Sequence, residues 1–137
     1  MAILEFITTI TVAQLMAHGI GDYWLQSGWM ATKKTQSLLP ATVHGLVYSL
    51  PFIAIFQPSL AAWAVIVVTH IIIDRYRLAR YMVWARNWLA PHRPKPWKES
   101  SGTGFSSETP DYLAVWLMII TDNLLHIIIN GWALAVL

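Results

Sequence analysis

Four of the five histidines, His18, His44, His70 and His126, fall inside apolar stretches of the chain, and Asp22, Asp74 and Asp122 each stand four positions from one of them. On a helix, residues four apart are neighbours on one face, so each pair can direct an imidazole nitrogen and a carboxylate oxygen to a common point. Two or three such pairs can surround a divalent cation. Neutral imidazole with carboxylate suits zinc first, and also manganese, iron, cobalt or nickel, while so much histidine is less natural for magnesium or calcium. The chain has no cysteine, so thiolate sites and disulfides are excluded and any metal is held by nitrogen and oxygen. A catalytic zinc typically keeps about three protein ligands and one position for water, whose pKa it lowers toward about 7.

The seven residues exceed that need, enough for a dinuclear site or for one ion with supporting carboxylates and a general base. His18, Asp22, His44, His70 and Asp74 are the expected metal ligands. Asp122 and His126, deeper in the last apolar stretch, are expected as further ligands or as a catalytic general base and its partner. A charged side chain at the bilayer centre costs about 2.5 to 3.5 kcal/mol, and a packing network or a proton relay offsets that cost as well as an ion does. Both stand as competing readings of the same residues.

These positions need elements to hold them. With 56% hydrophobic and 12% charged residues, and a mean hydropathy of +0.51, the natural solvent is a bilayer. Crossing roughly 30 Å of hydrocarbon takes about 20 residues, and the length admits four such spans in a single domain, 1–137. The first runs from about Ile3 to Gln26, with His18, Asp22 and Gln26 stacked on one face. Ser27 to Ser37 is a polar connection, and Leu38 to Phe56 forms the second span, with Pro40 suited to its first turn. Gln57, Pro58 and Ser59 make a tight turn before the third span, Leu60 to Tyr76. From 77 to 90 the pattern changes: Leu78, Tyr81, Met82, Ala85, Trp88 and Leu89 share one face, opposite Arg80, Arg86 and Asn87, which suits a helix lying in the membrane interface. Glu99 to Pro110 reads as a flexible loop, and the fourth span covers 111–137. The expected fold is all-α, an integral membrane four-helix bundle with an interfacial amphipathic helix between spans three and four.

All nine Lys and Arg lie between spans one and two, or at the end of and after span three. Basic residues accumulate on the cytoplasmic side, so the N- and C-termini are expected outside. Met1 to Thr8 carries Glu5 and no basic residue, so the first helix is expected to remain rather than be cleaved as a signal peptide. The net charge of +2 does not point to nucleic acid, because the basic residues flank apolar spans and Trp residues. Lys33, Lys34 and the arginines are expected as topology signals and headgroup anchors, with Arg75 and Arg77 able to grip a phosphate. Membrane lipids are the expected surroundings. Four short spans also leave room for a homo-oligomer, with no small-xxx-small motif to specify it. Gly19 and Gly21 suit close helix approach or a loosened turn.

Taken together, His18-x3-Asp22 followed by Leu25-Gln26-x2-Trp29-Met30-Ala31 and a nearby lysine, a lone His44, His70-x3-Asp74 and Asp122-x3-His126 resemble a family of small bacterial and phage membrane proteins catalogued as domain of unknown function 3307. The chain differs from that pattern at Arg77, in place of lysine, and at Asn123, in place of glutamine. The resemblance covers most of the chain and implies a bacterial cytoplasmic membrane location and these polar positions, but no substrate. By analogy alone the constellation is similar to membrane-bound metal-dependent hydrolases. The expected function is a membrane-embedded metal-dependent hydrolase working near the cytoplasmic leaflet on a lipid or membrane peptide. Its alternatives are a proton or divalent-ion transporter or channel, and a non-catalytic phage or bacterial membrane accessory protein.

Overall fold

The structure, a computed structural model, describes residues 10–137. The start of the first expected span, from Ile3, and the N-terminal stretch with Glu5 lie outside the described residues. Every element among the described residues is helical. Helix α1 (Val12–Gly19) begins where the Thr11 side chain accepts from Gln14 N, and it passes directly into a π turn, Ile20–Trp24. Leu25 N closes that turn on Ile20 O at 2.9 Å. The segment expected as a polar connection carries a helix, α2 (Gly28–Lys33), because the Ser27 hydroxyl accepts from Met30 N and caps it. Lys34 follows as its C-cap.

Helix α3 (Leu38–Phe56) places Pro40 in its first turn, where the missing N–H has no helical partner to lose, and stops at Gln57 in a left-handed conformation, φ 47°. Ser59 then caps α4 (Leu60–Tyr76) by accepting from Ala62 N, and Arg77, φ 52°, separates it from α5 (Leu78–Arg86). A 3-10 turn (Asn87–Leu89), the short α6 (Trp97–Ser100) and the long α7 (Asp111–Val136) complete the order. Among the described residues, α3 and α7 are the helices long and apolar enough to cross a membrane unaided. Helix α4, with 17 residues, rises only about 26 Å against a core of roughly 30 Å.

Contacts divide the chain into two compact units. The first comprises residues up to Tyr76 together with His126–Leu137. Its apolar core is built from Ala17, Tyr48, Phe52, Ala62, Ile66 and Ala133. Small residues bring its helices close: a Cβ on Gly21 would stand 2.5 Å from Tyr48 O, and one on Gly45 2.5 Å from Ile71 Cγ1. The buried faces of α3 and α4 also carry polar groups, His44, Ser49, His70 and Asp74, while large apolar side chains such as Val12, Trp24, Leu38, Leu39 and Leu60 are exposed.

The second unit spans Arg77–Leu125. Tyr81 stacks on Trp97 with ring centroids 4.5 Å apart, and Trp84 meets Trp97 edge-on. The Glu99 to Pro110 segment, expected as a flexible loop, runs in turns and bends after Ser100, and its carbonyls accept from side chains: Arg80 to Ser101 O, Arg77 to Gly102 O and Asn87 to Gly104 O. Gly104, φ 88°, lies so close to Arg80 O that a side chain there would collide with it. These arginines therefore hold backbone carbonyls that turn-forming residues leave without helical partners.

Candidate metal centre

Four side chains converge inside the first unit. Asp22 arrives from the π turn after α1, His44 from the second turn of α3, and His70 and Asp74 from the last turns of α4, where their spacing places them on one face. All four are buried, with both histidines fully enclosed. His44 Nε2 lies 3.1 Å from Asp22 Oδ1 and 3.2 Å from Asp74 Oδ2. His70 Nε2 lies 3.1 Å from Asp74 Oδ2 and 3.9 Å from Asp22 Oδ1.

Those spacings have a simple geometric meaning. Donors at about 2.1 Å from a tetrahedral ion are separated from one another by roughly 3.4 Å. One ligand atom from each of the four residues lies within 4.8 Å of all the others, so the set could hold a metal ion. Its chemistry, two nitrogens and two oxygens, suits a borderline divalent cation. Despite its short distance to Asp74, His70 Nε2 has no aligned hydrogen-bond partner among the described residues, and neither does His44 Nδ1. A fully buried nitrogen in that condition is costly unless something satisfies it, and an ion amid the four donors would satisfy His70 Nε2.

The other expected residues take different places. His126 Nε2 is 4.0 Å from Asp74 Oδ1, and its ring lies 4.3 Å from that of His70, so it borders the donor set. His18 is joined to the set through Tyr48: its Nδ1 is 2.8 Å from the Tyr48 hydroxyl, and its ring stacks on His126 at 5.8 Å. Asp122 belongs to the second unit, partly buried, one turn before His126 on α7. His92, in the basic segment, is exposed. Arg75, weighed as a phosphate grip, donates to Thr35 O at 2.6 Å.

Three further residues enter the site that the sequence did not single out as part of it. Tyr48 is fully buried, stacks on His70 at 3.6 Å with the rings 12° apart, and accepts at its hydroxyl from Asn130 Nδ2. It thereby fixes the plane of one imidazole. Lys34, expected as an anchor, reaches into the cluster instead, its Nζ 2.8 Å from Asp74 Oδ2, 3.3 Å from His44 Nε2 and 3.7 Å from Asp22 Oδ1. Asn130 and Tyr48 each stand four residues beyond a site histidine, a spacing that would have found them; nothing in the spacing marks Lys34.

Among known proteins, a family model described as "Protein of unknown function (DUF3307)" matches residues 10–130. No curated protein and no solved structure matches.

Proposed function

The chain belongs to the DUF3307 family, whose description carries no activity, and from that premise we propose that it is a membrane-embedded metal-dependent hydrolase. The observation that carries the reading is the buried Asp22, His44, His70 and Asp74 quartet, with ligand atoms all within 4.8 Å. When bound, a divalent ion, zinc first, supplies Lewis acidity toward a carbonyl or phosphoryl oxygen and acidifies water. The chain's own residues do the rest. His44, His70 and Asp74 would hold the ion, with Asp22 as a fourth ligand or a supporting carboxylate. Tyr48 keeps the His70 ring in plane. His126, at the margin of the donor set, is the general base.

Several features favour a bilayer as the setting. Among the described residues two helices are long and apolar enough to span it, and the first unit exposes large apolar side chains while burying histidine and aspartate, the inverse of a water-soluble domain. Tyr81, Met82, Trp88 and Leu89 are exposed on the segment read as an interfacial helix. All nine basic residues fall in the segments assigned to the cytoplasmic side of a bacterial inner membrane, and the substrate is then a lipid or membrane peptide entering from that leaflet. Metal analysis of protein purified in detergent tests the reading. The wild type is expected to carry about one equivalent of zinc, manganese or iron, and a His70→Ala, Asp74→Ala double variant to carry almost none. Equally negligible metal in both overturns it. Metal-dependent cleavage of phospholipid or peptide in vesicles, lost in His126→Ala, would identify the hydrolase.

A second reading, proton or divalent-ion transfer, is favoured by the file of imidazoles: His44 to His70 at 4.8 Å, His70 to His126 at 4.3 Å and His126 to His18 at 5.8 Å. Flux into proteoliposomes, with no hydrolytic activity, would select it.

A further inference from the structure

Lys34 stands against the same oxygens and nitrogen that make the quartet a metal centre. Its Nζ lies within 3.7 Å of three of the four donor atoms, touching Asp74 Oδ2 at 2.8 Å, His44 Nε2 at 3.3 Å and Asp22 Oδ1 at 3.7 Å. We propose that Lys34 is a built-in competitor for the metal centre: its ammonium bridges the two carboxylates, and a divalent cation binds by displacing it toward the rim of the pocket. The inference rests on the metal centre proposed above and adds a control to it.

Charge makes the two occupants mutually exclusive. Asp22 and Asp74 together balance one divalent ion, which leaves no carboxylate of the quartet for the ammonium, and like charges a few ångströms apart repel strongly where water is scarce. Geometry supplies the exit. The His44 side chain is 0% exposed and those of Asp22 and Asp74 are 6% and 4%, whereas that of Lys34 is 16% exposed. Lys34 also caps the six-residue α2 rather than sitting within one of the packed helices. A compact charge on a flexible four-carbon stem can leave without moving a ring or a helix. Only a doubly charged ion gains enough from two carboxylates to replace a resident ammonium, so the same lysine discriminates against monovalent cations.

Titration of the full chain in detergent with zinc, followed by calorimetry, tests the competition on wild type, Lys34→Met and Lys34→Arg. Lys34→Met is expected to bind zinc at least roughly tenfold more tightly than wild type, while Lys34→Arg, which keeps the charge, gains no such affinity. Equal or weaker binding by Lys34→Met, with wild type still binding, overturns the competition and leaves the metal centre standing. Zinc binding by none of the three removes both. Should Lys34→Met fail to fold, the wild type answers alone: zinc is expected to raise acetylation of Lys34 by an amine-reactive ester several-fold relative to Lys33, read by mass spectrometry. Unchanged or reduced labelling on zinc loading overturns the proposal.

Discussion

At the level of single residues, the site separates the four side chains that could hold an ion from the groups that position them. Tyr48 is of the second kind. Its hydroxyl joins His18 Nδ1 and Asn130 Nδ2 in a buried position, while its ring lies flat on His70. Tyr48→Phe keeps the ring and removes the hydroxyl, so it is expected to lower stability by about 1 to 3 kcal/mol in thermal or denaturant unfolding while leaving zinc affinity within a few-fold of wild type. A loss of zinc binding as complete as that of His70→Ala would instead make the hydroxyl part of the centre. The candidate metal-ligating residues were legible in the sequence, whereas Tyr48 and Asn130 were not singled out although the same spacing marks them. The four-residue ladder that links His18 with Asp22 and His70 with Asp74 continues to Tyr48 after His44 and to Asn130 after His126. Lys34 was not legible, because its place depends on how a short capped helix, α2, delivers its last residue, and no periodicity encodes that direction.

Among the elements, the π turn after α1 bears most on the site, because it carries Asp22. It lies against α3 so tightly that a Cβ on Gly21 would stand 2.5 Å from Tyr48 O and 2.9 Å from Tyr48 Cδ2. Gly19, one turn edge away, has nothing within 4 Å. Gly21→Ala is therefore expected to cost about 1 to 3 kcal/mol by overpacking and to weaken metal binding by displacing Asp22. Gly19→Ala is expected to be neutral or to stabilise by up to about 1 kcal/mol through helix propensity. Unfolding curves for the pair check this, and equal effects would mean that the close approach is not what the glycines provide. Hydrophobic runs and proline placement made α3 and α4 readable to their ends. The π turn was not, since Gly19 and Gly21 mark a loosened or closely approached backbone without saying which. The 99–110 segment is a loop beyond Ser100, as its composition indicates, but the donors that bond its carbonyls, Arg77, Arg80 and Asn87, lie far away in sequence and were not legible.

On the scale of the whole molecule, composition made the helical class legible, and two helices among the described residues are long and apolar enough to cross a membrane. Span number was less so: α4 is apolar but about a turn short of the hydrocarbon thickness, and hydropathy alone does not tell such a helix from the core of a packed unit. The proposed topology places the C-terminus outside, so a periplasmic-type reporter fused after Leu137 is expected to be active in bacteria and a cytoplasmic-type reporter silent; the reverse pattern would invert the arrangement. Everything functional depends on two imidazoles and two carboxylates sharing one ion. X-ray absorption at the zinc edge of the loaded protein measures that directly. A shell of nitrogen and oxygen at about 2.0 to 2.2 Å with the outer-shell signature of two imidazoles is expected, and a shell of water oxygens with no imidazole contribution would rule out the shared ion.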